Sequence, residues 1–301
     1  ATAIRGATAQ LDDPARVRGI AVASFGEAGV LLDAAGRPPG PIIAWFDNRT
    51  APLLAELVER IGFERLHRLT GLCPDPTFSL LKLLWLRRHD AAAFARATAW
   101  LHVADFLAWR LCGEMATDIS LASRTMALDL ADGRWASELV EEAGIDPGLF
   151  RPLADSGQRL GRLTAEAARA TGLAPGIAVG VAGHDHVCGM LAVAADRPGV
   201  VLDSMGTAEA LTFALDGPIA GAGYGRLGIN QGAVCGRPRL LYAIGGLPAS
   251  GPYFGAAFGP HEMVSTARFF ARCRQRRDAA CLGALEVDGA GNVNVSRRGP
   301  G

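Results

Sequence analysis

The segment Val179-Gly-Val-Ala-Gly-His-Asp-His-Val-Cys-Gly-Met190 constrains this chain more than any other. Its apolar start reads as a short strand, and the strand ends in glycine. Gly183 has no Cβ and reaches backbone angles closed to other residues, so the next side chain can lie close to a ligand. After the glycine, one carboxylate stands between two imidazoles, His184-Asp185-His186, and small residues come next. Open α/β sheets bind their ligands at strand ends. Asp185 is therefore a candidate general base.

Composition narrows the classes. The chain has 301 residues, half of them hydrophobic, enough for two domains or one large one. Its formal net charge of zero argues against a dedicated nucleic-acid or membrane-surface protein. Every apolar run is broken by charge or glycine before it could span a bilayer. The N-terminal Ala-Thr-Ala-Ile-Arg-Gly has no signal-peptide core. Six cysteines are scattered without a C-x-x-C pair, which fits reduced thiols and a cytoplasmic location.

Two strands are predicted at 18–24 and 29–33, and a third at 41–45, together a β-meander entering a larger sheet. Helical spacing predicts helices over 51–61, 79–89, 105–111 (closed by Gly113), 135–143 and 164–171. Asp146-Pro147 carries the signals of another helix start. Strands return at 177–181, 200–204 and 211–215. This mixed order predicts an α/β sheet rather than separate α and β domains. Beyond Asp216 the pattern weakens, and the tail from Gly289 reads as loop.

Several ordered segments resemble the FGGY carbohydrate kinases. They are Ile42-Ile-Ala-Trp-Phe-Asp-Asn-Arg-Thr50, then Thr70-Gly-Leu with Pro76-Thr-Phe-Ser and Lys82-Leu-Leu-Trp-Leu86, then Asp105-Phe-Leu with Thr117-Asp-Ile-Ser-Leu-Ala-Ser-Arg-Thr-Met126, the Gly183-His-Asp block, and Asp203-Ser-Met-Gly-Thr207. The resemblance implies a two-domain actin-like (ribonuclease H-like) ATPase fold with the site in the cleft between domains. It also implies ATP and Mg2+ as cofactors, a sugar or polyol as substrate, and leaves a homodimer open. The family's opening Asp-x-Gly-Thr phosphate hairpin has no match before Arg18, and the resemblance fades after Gly259. Residues 1–192 are thus expected to be a sugar-binding domain lacking its first hairpin. Residues 193–301 are expected to begin a nucleotide-binding domain, and the chain to be a fragment without useful ATP turnover.

By this resemblance Asp185 takes the proton of the attacking hydroxyl, as a base must for phosphoryl transfer. His186 falls where glycerol kinases place a substrate-binding Gln. Glu27 lies where the family puts a polar substrate ligand, and otherwise reads as a solvated loop residue. Thr77 aligns with a substrate-facing Tyr, or with Ser79 simply begins a helix. Trp45 could touch substrate. Its more natural role is burial beside an Asp47–Arg49 pair that fixes the turn. Gly206 and Thr207 match a phosphate-contacting turn. Asp105, Asp118, Ser123 and Arg124 read as architectural, and the Trp85 stripe as core.

Two other functions compete. One is a non-catalytic sugar-binding member of the family. The other is a metal-dependent hydrolase using His184, Asp185 and His186, since residues i and i+2 of a strand share a face. That reading lacks further ligands at metal-binding spacing.

Overall fold

The computed structural model describes residues 1–197, 200–205, 209–219, 228–236, 241–246, 286–287 and 293–294. First come α1 (Thr2–Thr8), β1 (Gly19–Ser24) and β2 (Gly29–Asp33). Helices α2 (Ala51–Ile61), α3 (Phe63–Thr70) and α4 (Ser79–His89) follow. Strand β3 (Ala97–His102) runs directly into α5 (Val103–Cys112). After several shorter turns come β4 (Arg159–Arg162), α6 (Ala165–Thr171), β5 (Ala178–His184) and α7 (Asp185–Ala192). A second region holds β6 (Val201–Met205), β7 (Glu209–Leu215), β8 (Asn230–Ala233) and β9 (Leu241–Gly246).

The helices form where spacing and caps agree. In α2, Leu53, Leu57 and Ile61 recur every fourth residue and are all buried, with Pro52 in the first turn. In α4, burial covers Ser79 to Leu83 and Leu86, so this helix is a core element rather than a surface one. It packs with Trp100, Phe78 and Leu66 in the largest of the apolar clusters. Truncating one such leucine to alanine costs about 2–5 kcal/mol. Helix α5 stops at Gly113, whose φ of 84° is left-handed and suits glycine.

Two strands distant in sequence place the site. β1 and β5 pair in parallel, from Gly19 opposite Ala178 to Ser24 opposite His184. Between Val22 and Ala23 the register slips by one residue, leaving Ala182 as an extra residue on β5. β4 joins the other edge of β5 antiparallel. β2 pairs instead with β3, antiparallel, with Gly29 opposite His102. The second region is an antiparallel sheet in the order β6-β7-β9-β8. Helix α7 links the regions: Val187 and Met190 pack against Ala210, Tyr242 and Ile244.

This architecture corrects several expectations. β1 and β2 do not form a meander, because each finds its partner far along the chain. Residues 41–44 are not a strand; Ile43 is buried while Ile42 is exposed, without ladder partners. The helix expected from 135 begins at Ser137, since Arg134 and Trp135 pair with Leu128 and Asp129. Asp146-Pro147 opens a single 3-10 turn. α1, α3, β3, β4, β8 and β9 were not foreseen, nor was the short pairing of Glu286–Val287 with Val293–Asn294, the second of which lies in the tail. Among the described residues, no helix is long and apolar enough to cross a membrane.

Candidate active site

The parallel pair β1–β5 ends with Ser24 beside His184, so Glu27 and Asp185 leave the sheet at the same end. The strand-to-helix junction needs Gly183. Its φ is 121°, and a Cβ there would collide with Cys235 Sγ and stand 2.5 Å from Ser120 Oγ. No other residue fits that space and that angle. Ser120 Oγ accepts the His184 N–H at 2.9 Å, fixing the junction further.

Asp185 is the first residue of α7, and its side chain is 47% exposed. Oδ1 accepts the His186 N–H at 2.7 Å. His184 Nε2 stands 3.7 Å from Asp185 Oδ1. Burial, reinforced by the Arg124 guanidinium, pushes the His184 imidazole down to about 3, so the ring is neutral at ordinary pH. The His184 and His186 rings lie 5.4 Å apart and tilted. They do not share a strand face, because His184 ends β5 and His186 lies in α7. Among the described residues, no group of three or more His, Cys, Asp or Glu is arranged to hold a metal ion.

Beneath this rim lies a buried ionic floor. Glu27 is not a solvated loop residue: it is 9% exposed, and its Oε1 accepts from Arg124 Nε at 2.6 Å. Its φ of 60° is left-handed, which costs a non-glycine residue about 1–3 kcal/mol. Lys82 Nζ, fully buried, donates to the Glu27 carbonyl at 2.6 Å and holds that conformation. Burial pushes the Lys82 ammonium down to about 8, although Glu27, Asp47 and Asp75 support its charge. Burial also opposes the Arg124 charge, but Glu27 and Tyr242 together raise its pKa above the ordinary arginine value. Arg124 covers the Phe78 ring at 5.1 Å. Close by, His102 Nδ1 faces Asp105 Oδ2 at 3.3 Å, both fully buried, and burial raises the Asp105 carboxyl.

Other expected residues sit around this floor. Asp47 and Arg49 pair at 2.7 Å, and Asp47 caps the turn by accepting the Arg49 N–H at 3.0 Å. Trp45 is half-buried rather than buried and meets exposed Phe46 edge-on at 5.5 Å. Thr77 does not cap α4, which starts after Phe78 without a side-chain cap. Instead the Thr77 N–H donates to Asp75 Oδ1 at 2.9 Å, and Thr50 Oγ1 ties the two loops by donating to the Pro76 carbonyl at 2.6 Å. Gly206 and Thr207 lie outside the described residues. Sequence reasoning missed Lys82 and the His102–Asp105 pair. A lysine inside an apolar helical stripe was the available signal for the first.

Among the described residues, several buried polar atoms in this cluster have no hydrogen-bond partner: Arg124 Nη1, His102 Nε2, His184 Nδ1 and His186 Nδ1. Unmet buried donors and acceptors cost about 1–3 kcal/mol each, so their concentration here fits a site built for a polar ligand. A separate concavity of about 320 Å³ lies between α2 and α4. Its arginines are already engaged, Arg88 with Glu56, Arg60 with the Ala143 carbonyl and Arg87 with the Gly144 carbonyl.

Known proteins resemble this chain in sequence and in fold. The L-fuculokinase of Escherichia coli (strain K12) is 35% identical over 195 residues, covering 65% of this chain and 41% of that protein. The xylulose kinase of Klebsiella pneumoniae is 31% identical over 196 residues, covering 65% of this chain and 40% of its own. The chain therefore spans about two fifths of these relatives' length. The crystal structure of xylulose kinase from Rhodospirillum rubrum superposes with a TM-score of 0.73 at 30% identity, covering 82% of this chain and 51% of that one. The fold is that of these sugar kinases, the actin-like ATPase fold. Residues 1–192 match the N-terminal domain of the FGGY family of carbohydrate kinases, and the chain belongs to that family.

Proposed function

We propose that the protein of which this chain is part transfers a phosphoryl group from ATP to a hydroxyl of a sugar or polyol, with Asp185 as general base. One observation carries this reading: an exposed carboxylate at the β5–α7 junction lies beside buried polar atoms that lack partners among the described residues. ATP, with Mg2+, would supply the phosphoryl group and its charge neutralisation. This chain's residues do the rest. Asp185 Oδ1 is occupied by the His186 N–H, which leaves Oδ2 to take the hydroxyl proton. His184 is neutral at ordinary pH and places no positive charge beside the base. Arg124 neutralises the Glu27 carboxylate, so the sugar meets a closed ion pair rather than a lone buried charge at this point. The second oxygen of Glu27, the Arg124 Nη1 and the His186 ring are the proposed hydroxyl partners, with Trp45 and Thr77 as walls.

Residues 1–192 would then be the sugar-binding domain, and 193–301 the start of the nucleotide-binding domain. Gly206 and Thr207 are proposed phosphate contacts there. The relatives' names put ketoses first as substrates. Calorimetry of this chain against L-fuculose, xylulose and glycerol tests sugar binding. A coupled ADP-release assay on the longer parent tests transfer. Saturable binding of one sugar with matching turnover is the expected result. Binding without turnover by the parent would support a non-catalytic sugar-binding role instead.

A further inference from the structure

Helix α7 carries a second reactive group one turn after Asp185. Cys188 is half-exposed on α7, and Cys235 is 3% exposed just beyond β8. Neither is in a disulfide, and the two thiols lie in one apolar cluster, Cys188 packed against the buried residues that include Cys235. Cys235 Sγ also lies 3.4 Å from Ser120 Oγ, in the space left by the missing Cβ of Gly183. Val187, Met190, Val234 and Tyr242 close an apolar cluster around the pair. The mechanism above uses neither sulfur. The contact joins the helix that begins with Asp185 to the second sheet.

We propose that Cys188 and Cys235 are an oxidisable dithiol, modified by hydroperoxides, whose disulfide clamps the first turns of α7 to the second sheet. Interaction with Cys188 holds the Cys235 thiol down to about 7 against its burial, while Cys188 is itself raised. This sets the division of labour, since the thiolate is the nucleophile. The Cys235 thiolate attacks hydrogen peroxide, the O–O bond breaks, and a sulfenic acid forms as hydroxide leaves and is protonated to water. Cys188 then loses its proton and attacks Cys235 Sγ, displacing hydroxide as a second water. Two thiols and one peroxide give one disulfide and two waters. Cys188, the more exposed sulfur, is where a reducing thiolate would attack to reverse the bond.

The test treats the native chain with hydrogen peroxide, traps remaining thiols by alkylation, and maps peptides without reduction. A linked Cys188–Cys235 peptide is expected, with both residues leaving the alkylated pool together and returning after dithiothreitol. Cys188 and Cys235 both remaining alkylatable, or either pairing elsewhere, overturns the proposal. In Cys188→Ser, Cys235 should accumulate as a sulfenic acid trapped by dimedone. No adduct there would overturn the assigned order of attack. Oxidation should slow amide exchange across α7 by at least about tenfold in the unmodified sequence and not in Cys188→Ser. Unchanged exchange would remove the clamp. None of these readouts depends on sugar-kinase turnover, so this inference and the functional reading fail separately.

Discussion

The rim and the floor of the site are built on opposite principles. Asp185 is nearly half exposed and its carboxylate accepts a backbone N–H, whereas Arg124, Lys82, His184 and the His102–Asp105 pair are all buried. An exposed side chain with few contacts can be changed with little effect on folding. A buried charge cannot lose its partner so cheaply. The rim is therefore expected to govern rate and the floor to govern whether the site exists at all.

The sharpest way to break that contrast is Asp185→Asn, assayed in a kinase chain that carries these residues. Loss of a general base should lower kcat about a hundred- to ten-thousand-fold. Thermal unfolding of the same variant should move stability by less than about 0.5 kcal/mol. A large stability loss would put Asp185 in the floor, and kcat above about a tenth of parental would remove it as the base. Next comes Arg124→Met, which leaves Glu27 buried and unpaired and should cost about 3–5 kcal/mol in urea unfolding of this chain. Adding Glu27→Gln to it should recover part of that loss, because the uncompensated charge is gone. Equal instability in the double variant would show that packing, not charge, is lost.

A smaller effect concerns pH. The His184 imidazole titrates near 3 in the fold but near about 6.5 in an unfolded chain. Because folding favours the neutral ring, its contribution is fully present above about 6.5 and is lost as pH falls toward 3. His184→Gln should flatten the fall in stability across that window, by up to a few kcal/mol. An unchanged acid limb would mean that His184 is not what makes the floor acid-sensitive. Smallest of all, Thr77→Ala should leave stability within about 0.5 kcal/mol and alter KM more than kcat. A drop in kcat equal to that in kcat/KM would instead place Thr77 in the transition state.

How far the sequence could be read depended on how local each feature is. The carboxylate at the end of a strand was legible because strand, Gly183 and Asp185 are contiguous. Glu27 was placed at the site but misjudged in its surroundings, because its partner Arg124 lies 97 residues away. The same distance problem produced the false meander: adjacency joined β1 to β2, whereas pairing joined β1 to β5. Strand β3 escaped notice because its inner residues, Ala99 to His102, are all buried and show no alternation. Lys82 was hidden by its apolar neighbours in α4, and its buried ammonium is held by the Glu27 carbonyl and by carboxylates from distant loops. The Cys188–Cys235 contact has no sequence signature, since tertiary packing alone brings these thiols together.

The extra residue in β5 acts as a phase shift in the chain. Side chains along a strand alternate between two faces, so one inserted residue reverses every orientation after it. With Ala182 in place, His184 points inward and Asp185 emerges at the junction. Without it, the ladder could close with the same hydrogen bonds, yet the imidazole would face outward and the carboxylate inward. The site can thus accept a different side chain at 184 or 186 more readily than a different residue count between Gly180 and Asp185. Length, at this one point, works as a switch on the chemistry that no single substitution reproduces.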